Sequence, residues 1–191
     1  VDYFVAFNPA INQVHFDRFP TNLGRVEVIY VDSPKTRFSH VTSYAIGTTP
    51  YLLYYDILSG KTEVQAPAAQ GVGANMLFTT AFNSGLTQIA SVARSTDTHL
   101  LLLDANRRTA QYWQAYDDHL ESVATASFSE PLALSAAFAD EATPFFLIYG
   151  RDGSSVIYEF SADTFEPSVA WRGFLPVGAT EIAPFEQAGT H

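Results

Sequence analysis

Apolar residues in this chain arrive in short dense runs, each followed by a polar turn and a second extended run. YFVAFN at residue 3 is followed by VHF at 14, and YLLYYD at 51 by TEV at 62. HLLLLD at 99 is followed by AQYW at 110, and FFLIYG at 145 by VIYEF at 156. The runs start at Tyr3, Tyr51, His99 and Phe145, at spacings of 48, 48 and 46 residues. β-branched and aromatic residues around a turn of Gly, Asn, Asp or Ser predict a β-hairpin in each unit.

Two more extended runs fall between successive hairpins. One set is RVEVIY from 25, NMLFT from 75, ESVAT from 121 and PSVAW from 167. The other is HVTSY from 40, QIASV from 88, ALSAA from 133 and EIAPF from 181. Each repeat of about 47 residues therefore supplies four strands, the signature of a propeller blade. The expected fold is all-β: one four-bladed β-propeller over residues 1–191. Its blades run over 1–36 plus 179–191, 37–84, 85–130 and 131–178. The last run, 181–185, is the kind that precedes a hairpin, so it is expected to complete the blade that the first residues begin. Such velcro closure removes open sheet edges. An open sandwich of the same hairpins is the alternative. Helical periodicity is scarce; residues 118–126 could form one turn, and 66–74 reads as a loop.

In size and blade number the pattern resembles the hemopexin-type four-bladed propeller, which usually closes its ring with a Cys pair. This chain has no Cys. The Leu-Leu-x-Tyr-Asp-x-x-x-Gly wording of residues 52–60 is also similar to repeats of bacterial secreted propeller proteins. Neither resemblance carries a ligand over.

Composition narrows the partners. Hydrophobic residues make up 47% of the 191 and charged residues 16%, enough apolar material for a packed core and against disorder. The net charge of -10 argues against nucleic acid or an anionic membrane surface, which need a basic footprint. Arg107 and Arg108, the one adjacent basic pair, read as a solvated turn. No apolar run approaches a membrane span. The chain begins at Val1, which suggests processing or excision from a longer protein. The compartment stays open, with the extracellular side slightly favoured.

Repeat symmetry separates the functional readings. A lectin-like propeller needs the same exposed side chains in every blade, and they are missing here. Asn8, Asp56 and Asp104 recur, with Gly150 fourth, but as turn formers. Phe16, Val64, Tyr112 and Tyr158 align as core. Trp113 aligns with Asp17, Gln65 and Glu159, which makes it the expected exposed aromatic, whereas Trp171 reads as core. The inner strands are expected to line a central channel. His40, Gln88, Ala133 and Glu181 align there, followed by Tyr44, Val92, Ala137 and Phe185.

That asymmetric set suggests one central site, with His40 and Glu181 as polar anchors, Tyr44 and Phe185 as walls, and Gln88 as a further ligand-binding candidate. Trp113 completes the ligand-binding candidates. No HExxH, Walker loop or GxSxG occurs, Gly71 to Met76 is a broken GxGxxG, and residues 116–121 lack metal-loop spacing. No metal or cofactor is expected. The first reading is a non-catalytic module for a small molecule or glycan. The alternatives are a cyclase- or lyase-like enzyme on an apolar substrate and a protein-interaction or oligomerisation domain, with homo-oligomers left open.

Overall fold

A computed structural model describes residues 2–19, 27–32, 34, 37–67, 74–94, 97–130, 132–140, 143–161, 164, 166–180 and 182. It holds fifteen strands and no helix among those residues. They are β1 (Asp2–Asn8), β2 (Gln13–Phe19), β3 (Glu27–Asp32), β4 (His40–Ile46), β5 (Thr49–Tyr55), β6 (Lys61–Pro67), β7 (Ala74–Ala81) and β8 (Gln88–Arg94). The rest are β9 (Asp97–Asp104), β10 (Thr109–Ala115), β11 (Leu120–Ser127), β12 (Leu134–Asp140), β13 (Thr143–Tyr149), β14 (Ser154–Phe160) and β15 (Pro167–Phe174). Residues 120–127 are strand, so the helical turn expected at 118–126 is not formed there.

The strands form antiparallel meanders: β4-β5-β6-β7, β8-β9-β10-β11, β12-β13-β14-β15, and a three-stranded β1-β2-β3. The run expected to complete this first sheet, 181–185, lies outside the described residues apart from Ile182. Among the inner strands, β4 packs on β8 and β8 on β12, while β1 packs on β4. Three apolar clusters glue neighbouring sheets. Val14, Phe16, Phe38, Leu52 and Tyr54 join the first to the second. Tyr44, Leu53, Val64, Leu86, Leu100 and Leu102 join the second to the third. Leu101, Leu103, Tyr112, Phe146, Ile148 and Phe160 join the third to the fourth. The period of two along each strand explains this: Leu100 and Leu102 face one neighbour, and Leu101 and Leu103 face the other. A strand buried on both faces reads as a continuous apolar run, which is why HLLLLD carries no alternation.

The repeat is stereochemical as well as sequential. Each hairpin turn ends on a left-handed residue just before its next strand: Asn12 (φ 51°), Gly60 (76°), Arg108 (54°) and Gly153 (85°). Each turn opens with an acceptor or a glycine. Asn8 accepts from the Ala10 amide, Asp56 from Leu58, and Asp104 from Asn106 and Arg107. These are Asx turns, the structural role read for those positions. Every blade also carries a bulge between its two outer strands, at Phe16/Asp17, Val64/Gln65, Tyr112/Trp113 and Ile157/Tyr158. A bulge in each blade adds twist and re-aims the outer strand.

Pairing register corrects two alignments. Ile157, not Tyr158, is the counterpart of Phe16, Val64 and Tyr112, because the fourth hairpin turn is one residue shorter. Leu134, not Ala133, is the counterpart of His40 and Gln88. These three oppose Tyr149, Tyr55 and Leu103, the last residues or last-but-one of their partner strands. A one-residue slip exchanges the two faces of a strand, so each correction moves a side chain to the other neighbour.

Candidate functional site

The turns that follow the second strand of each blade and the links between blades lie at one end of the molecule, here called the link face. Hydrogen bonds tie them together. Gly85 donates its amide to Ile57, and Arg107 Nη1 donates to the Ser84 carbonyl at 2.8 Å. Arg108 Nη1 donates to Ser129 at 2.9 Å, and Asn12 Nδ2 donates to Pro34 at 2.6 Å. The Arg107–Arg108 turn thus clasps the links on either side of it rather than being only solvated.

Two tyrosines anchor links in the same way. Tyr55 Oη donates to the Asn83 carbonyl at 2.8 Å and accepts from the Leu86 amide at 3.0 Å. Tyr149 Oη donates to Pro176 at 2.8 Å and accepts from Ala179 at 3.2 Å. Sequence reading overlooked them. The signal was present in the shared wording GLTQI at 85 and GATEI at 178, 29 or 30 residues after each tyrosine.

His40 and Gln88 open β4 and β8 at this end. The His40 ring lies 5.9 Å from that of Tyr55. Burial lowers its pKa below the usual histidine value, opposed by a hydrogen bond to the Thr87 backbone, and its Nδ1 has no partner among the described residues. Gln88 Nε2 donates to the Ser135 carbonyl at 3.2 Å, and Ser135 Oγ donates back to Gln88 Oε1. Gln88 therefore stitches β8 to β12, while His40 faces the Thr87 backbone just before β8. Tyr44 stands roughly 13 Å further along β4. It is buried between the second and third sheets, stacked on Tyr51 at 5.1 Å, with its hydroxyl pKa raised by burial and by the nearby Tyr51 and Asp117. Glu181 and Phe185 lie outside the described residues.

The two tryptophans exchange their expected roles. Trp113 is half-buried, edge-on to Phe82 at 5.0 Å, with its indole N–H donated to Gln111. Trp171 is 40% exposed. It opposes Ile157 on β15, the place that Phe78 takes opposite Val64. Its ring lies over Gly173, where any Cβ would strike it.

What the link face offers to solvent is apolar and charged. Ile11 (62% exposed), Leu58 (87%), Phe174 (79%) and Val177 (70%) project from its turns and strand ends. Arg107, Arg108 and Arg151 stand among them, all exposed. Of the carboxylates there, Asp56 and Asp104 cap their own turns, Asp104 also accepting from Arg107 at 2.7 Å, and the exposed Asp152 accepts from Ser154. Glu130 accepts from Tyr158 at 2.6 Å and from Arg172 at 2.5 Å. Burial alone would raise the Glu130 pKa, but those donors outweigh it and hold it at about 2. A recess of about 260 Å³ opens beside Leu134, Tyr149, Arg151 and Ala179. The opposite end carries Asp97, Asp117, Asp118, Glu121 and Glu166 on its turns and strand starts. No cluster of three metal-capable side chains occurs among the described residues.

No family model matches the chain, and no curated protein does. Solved structures do. The WD40 domain of SCAP from fission yeast superposes with a TM-score of 0.60 at 9% identity, over 90% of this chain and 42% of that one. A Bacteroides fragilis protein assigned as a 6-phosphogluconolactonase gives 0.59 at 9% identity, over 87% and 53%. Sqt1 of Saccharomyces cerevisiae gives 0.51 at 12%, over 82% and 41%. The fold is a β-propeller. WD40 blades are four-stranded meanders of this kind. At these identities the likeness is one of fold, and the chain spans about half the length of the structures it matches. An interaction domain and a protein assigned as an enzyme both stand among them, so the fold does not select a function.

Proposed function

We propose that this chain is a non-catalytic binding module that docks a partner protein on its link face. One observation carries the reading: the exposed apolar tips Ile11, Leu58, Phe174 and Val177 share one face, bordered by the charged side chains Arg108, Arg151, Asp152 and the Arg107–Asp104 pair. Apolar groups rimmed by charge are the composition of a docking surface. The likeness to WD40 domains supports it. Gln88 is engaged in joining β8 to β12, which weighs against a ligand held by it.

Affinity capture with three forms of the chain tests this: the wild type, Leu58→Glu/Val177→Glu, and the far-face control Asp118→Lys. A partner held by the wild type and the control but lost from the double variant is expected. Equal capture by all three removes the link face from consideration. A second reading rests on the recess beside Tyr149 and Arg151, which would suit a small molecule carrying one anionic group. Native mass spectrometry before and after denaturation would reveal such a ligand.

A further inference from the structure

The second link, residues 82–88, is held at the link face from three sides. Gly85 donates its amide to Ile57 at 2.9 Å, Leu86 to the Tyr55 hydroxyl at 3.0 Å, and Thr87 to Leu103 at 2.7 Å. The bond from Gly85 ties this link to the turn that carries Leu58.

His40 closes the inner side of that assembly. It opposes Tyr55 across β4 and β5, its ring lies 5.9 Å from the Tyr55 ring, and it meets the Thr87 backbone. Nδ1 is buried and has no partner among the described residues. The contact with Thr87 therefore falls to Nε2, which carries the proton of the neutral ring, and Nδ1 keeps a bare lone pair. A second proton there would be a buried donor without an acceptor, on a ring that then carries a charge away from water.

The blade plan does not ask for an imidazole at this place. Gln88 fills it on β8 and Leu134 on β12. No ion pair compensates for it either. From β5 comes Tyr55, and Asp56 and Asp104 act on the Tyr55 hydroxyl, Asp104 being paired with Arg107 at 2.7 Å. β8 begins with Gln88 and β1 ends at Phe7 and Asn8, none of which titrates. Burial outweighs the Thr87 contact and lowers the His40 pKa from the ordinary 6.5. The closed link is therefore fully favoured above pH 6.5 and loses stability as pH falls below it.

We propose that His40 makes the second link acid-sensitive: a proton taken up at Nδ1 expels the ring from Thr87 and Tyr55 and opens the link beside Leu58. The proton comes from solvent. Because Nδ1 is sealed from water, it is taken up as the link opens, and the charged ring then stays out. Loss of the Gly85 bond frees the Leu58 turn. The consequence for a docked partner rests on the link-face reading; the opening of the link does not, so the two can fail separately.

Hydrogen exchange of the wild-type chain and of His40→Gln at pH 7.5 and pH 5.0 tests this, corrected for the intrinsic pH dependence of exchange. The lower value stays above the ordinary carboxylate range of about 4. The amides read are Gly85, Leu86 and Thr87. Ala133 is the reference: it donates to Tyr149 in the third link as Thr87 donates to Leu103, where the counterpart of His40 is Gln88. In the wild type the three amides should lose roughly tenfold protection relative to Ala133 between the two pH values, the cost of one orphaned donor. In His40→Gln they should hold. Equal protection at both pH values in the wild type overturns the proposal, and so does an equal loss in the variant, which would assign the effect to another histidine. Should the variant not fold, an NMR titration of the wild type decides. A His40 midpoint below 6.5, followed by the Gly85 and Leu86 amides, is expected. A midpoint at or above 6.5, or amides that do not follow it, overturns the proposal.

Discussion

The second and fourth sheets are built from one plan, and they differ in how well the plan is filled. At the link, Leu86 is buried in the cluster between the second and third sheets, whereas the corresponding Ala179 is exposed. On the outer strand, Phe78 packs on that cluster, whereas Trp171 stays 40% exposed. Yet the tyrosine anchor is kept in both, down to its donor and its acceptor. Backbone geometry is thus the part of the repeat that persists, and side-chain volume is the part that varies. Hydrogen bonds explain this order: a link amide or carbonyl left without a partner is costly at any blade, while apolar volume can be traded among neighbours.

The largest contrast should come from Leu86→Ala. Truncating a fully buried leucine is expected to cost about 2–5 kcal/mol in urea unfolding, whereas Ala179→Gly should cost about 1 kcal/mol or less. Equal effects would mean that the fourth link is packed as tightly as the second. Next is Glu130→Gln, which removes the tie between the third-to-fourth link and β14–β15. Its folded pKa of about 2 lies below the ordinary 4.5. The stabilisation is therefore present above pH 4.5 and lost as pH falls towards 2. A loss of roughly 2 kcal/mol is expected at pH 7, discounted because Arg172 is half-exposed, and it should vanish near pH 2. A pH-independent deficit would assign the effect to packing.

Tyr55→Phe and Tyr149→Phe probe the shared anchor. Each leaves one link amide and one carbonyl to find water, at about 1–2 kcal/mol. Similar losses are expected; a silent Tyr149→Phe would show that the fourth link does not depend on its anchor. The smallest effect belongs to Leu58→Glu, within about 0.5 kcal/mol by thermal unfolding, because its side chain touches little. A large loss there would make Leu58 structural and weaken the docking face.

Sequence carried the fold further than the site. Fifteen strands were legible because each unit pairs a dense apolar run with a turn former, and because the units recur at nearly constant spacing. The register was harder to read. The fourth hairpin turn lacks one residue, so counting from Phe145 put Tyr158 where Ile157 stands and assigned it to the wrong face. The tryptophans show the limit plainly. Trp113 has the polar repeat-mates Asp17 and Gln65, yet it packs on Phe82, an aromatic contributed by the neighbouring link. Trp171 is apolar and ends up exposed. Burial of a repeat position depends on what the adjoining blade presents, which a single repeat does not encode. The apolar tips of the link face were visible as residues, but their sharing of one face follows from the meander and from the hydrogen bonds between turns and links.

The claim that one blade plan recurs along the chain is tested most directly by native-state hydrogen exchange of β9 and β13 against β5 in the intact chain. β5 is bonded on both sides, to β4 and to β6, as β9 is to β8 and β10 and β13 to β12 and β14. Every amide of β9 and β13 should therefore be slowed as those of β5 are, on whichever side it points. Alternate amides of β9 or β13 exchanging freely, while those of β5 stay protected, would contradict it.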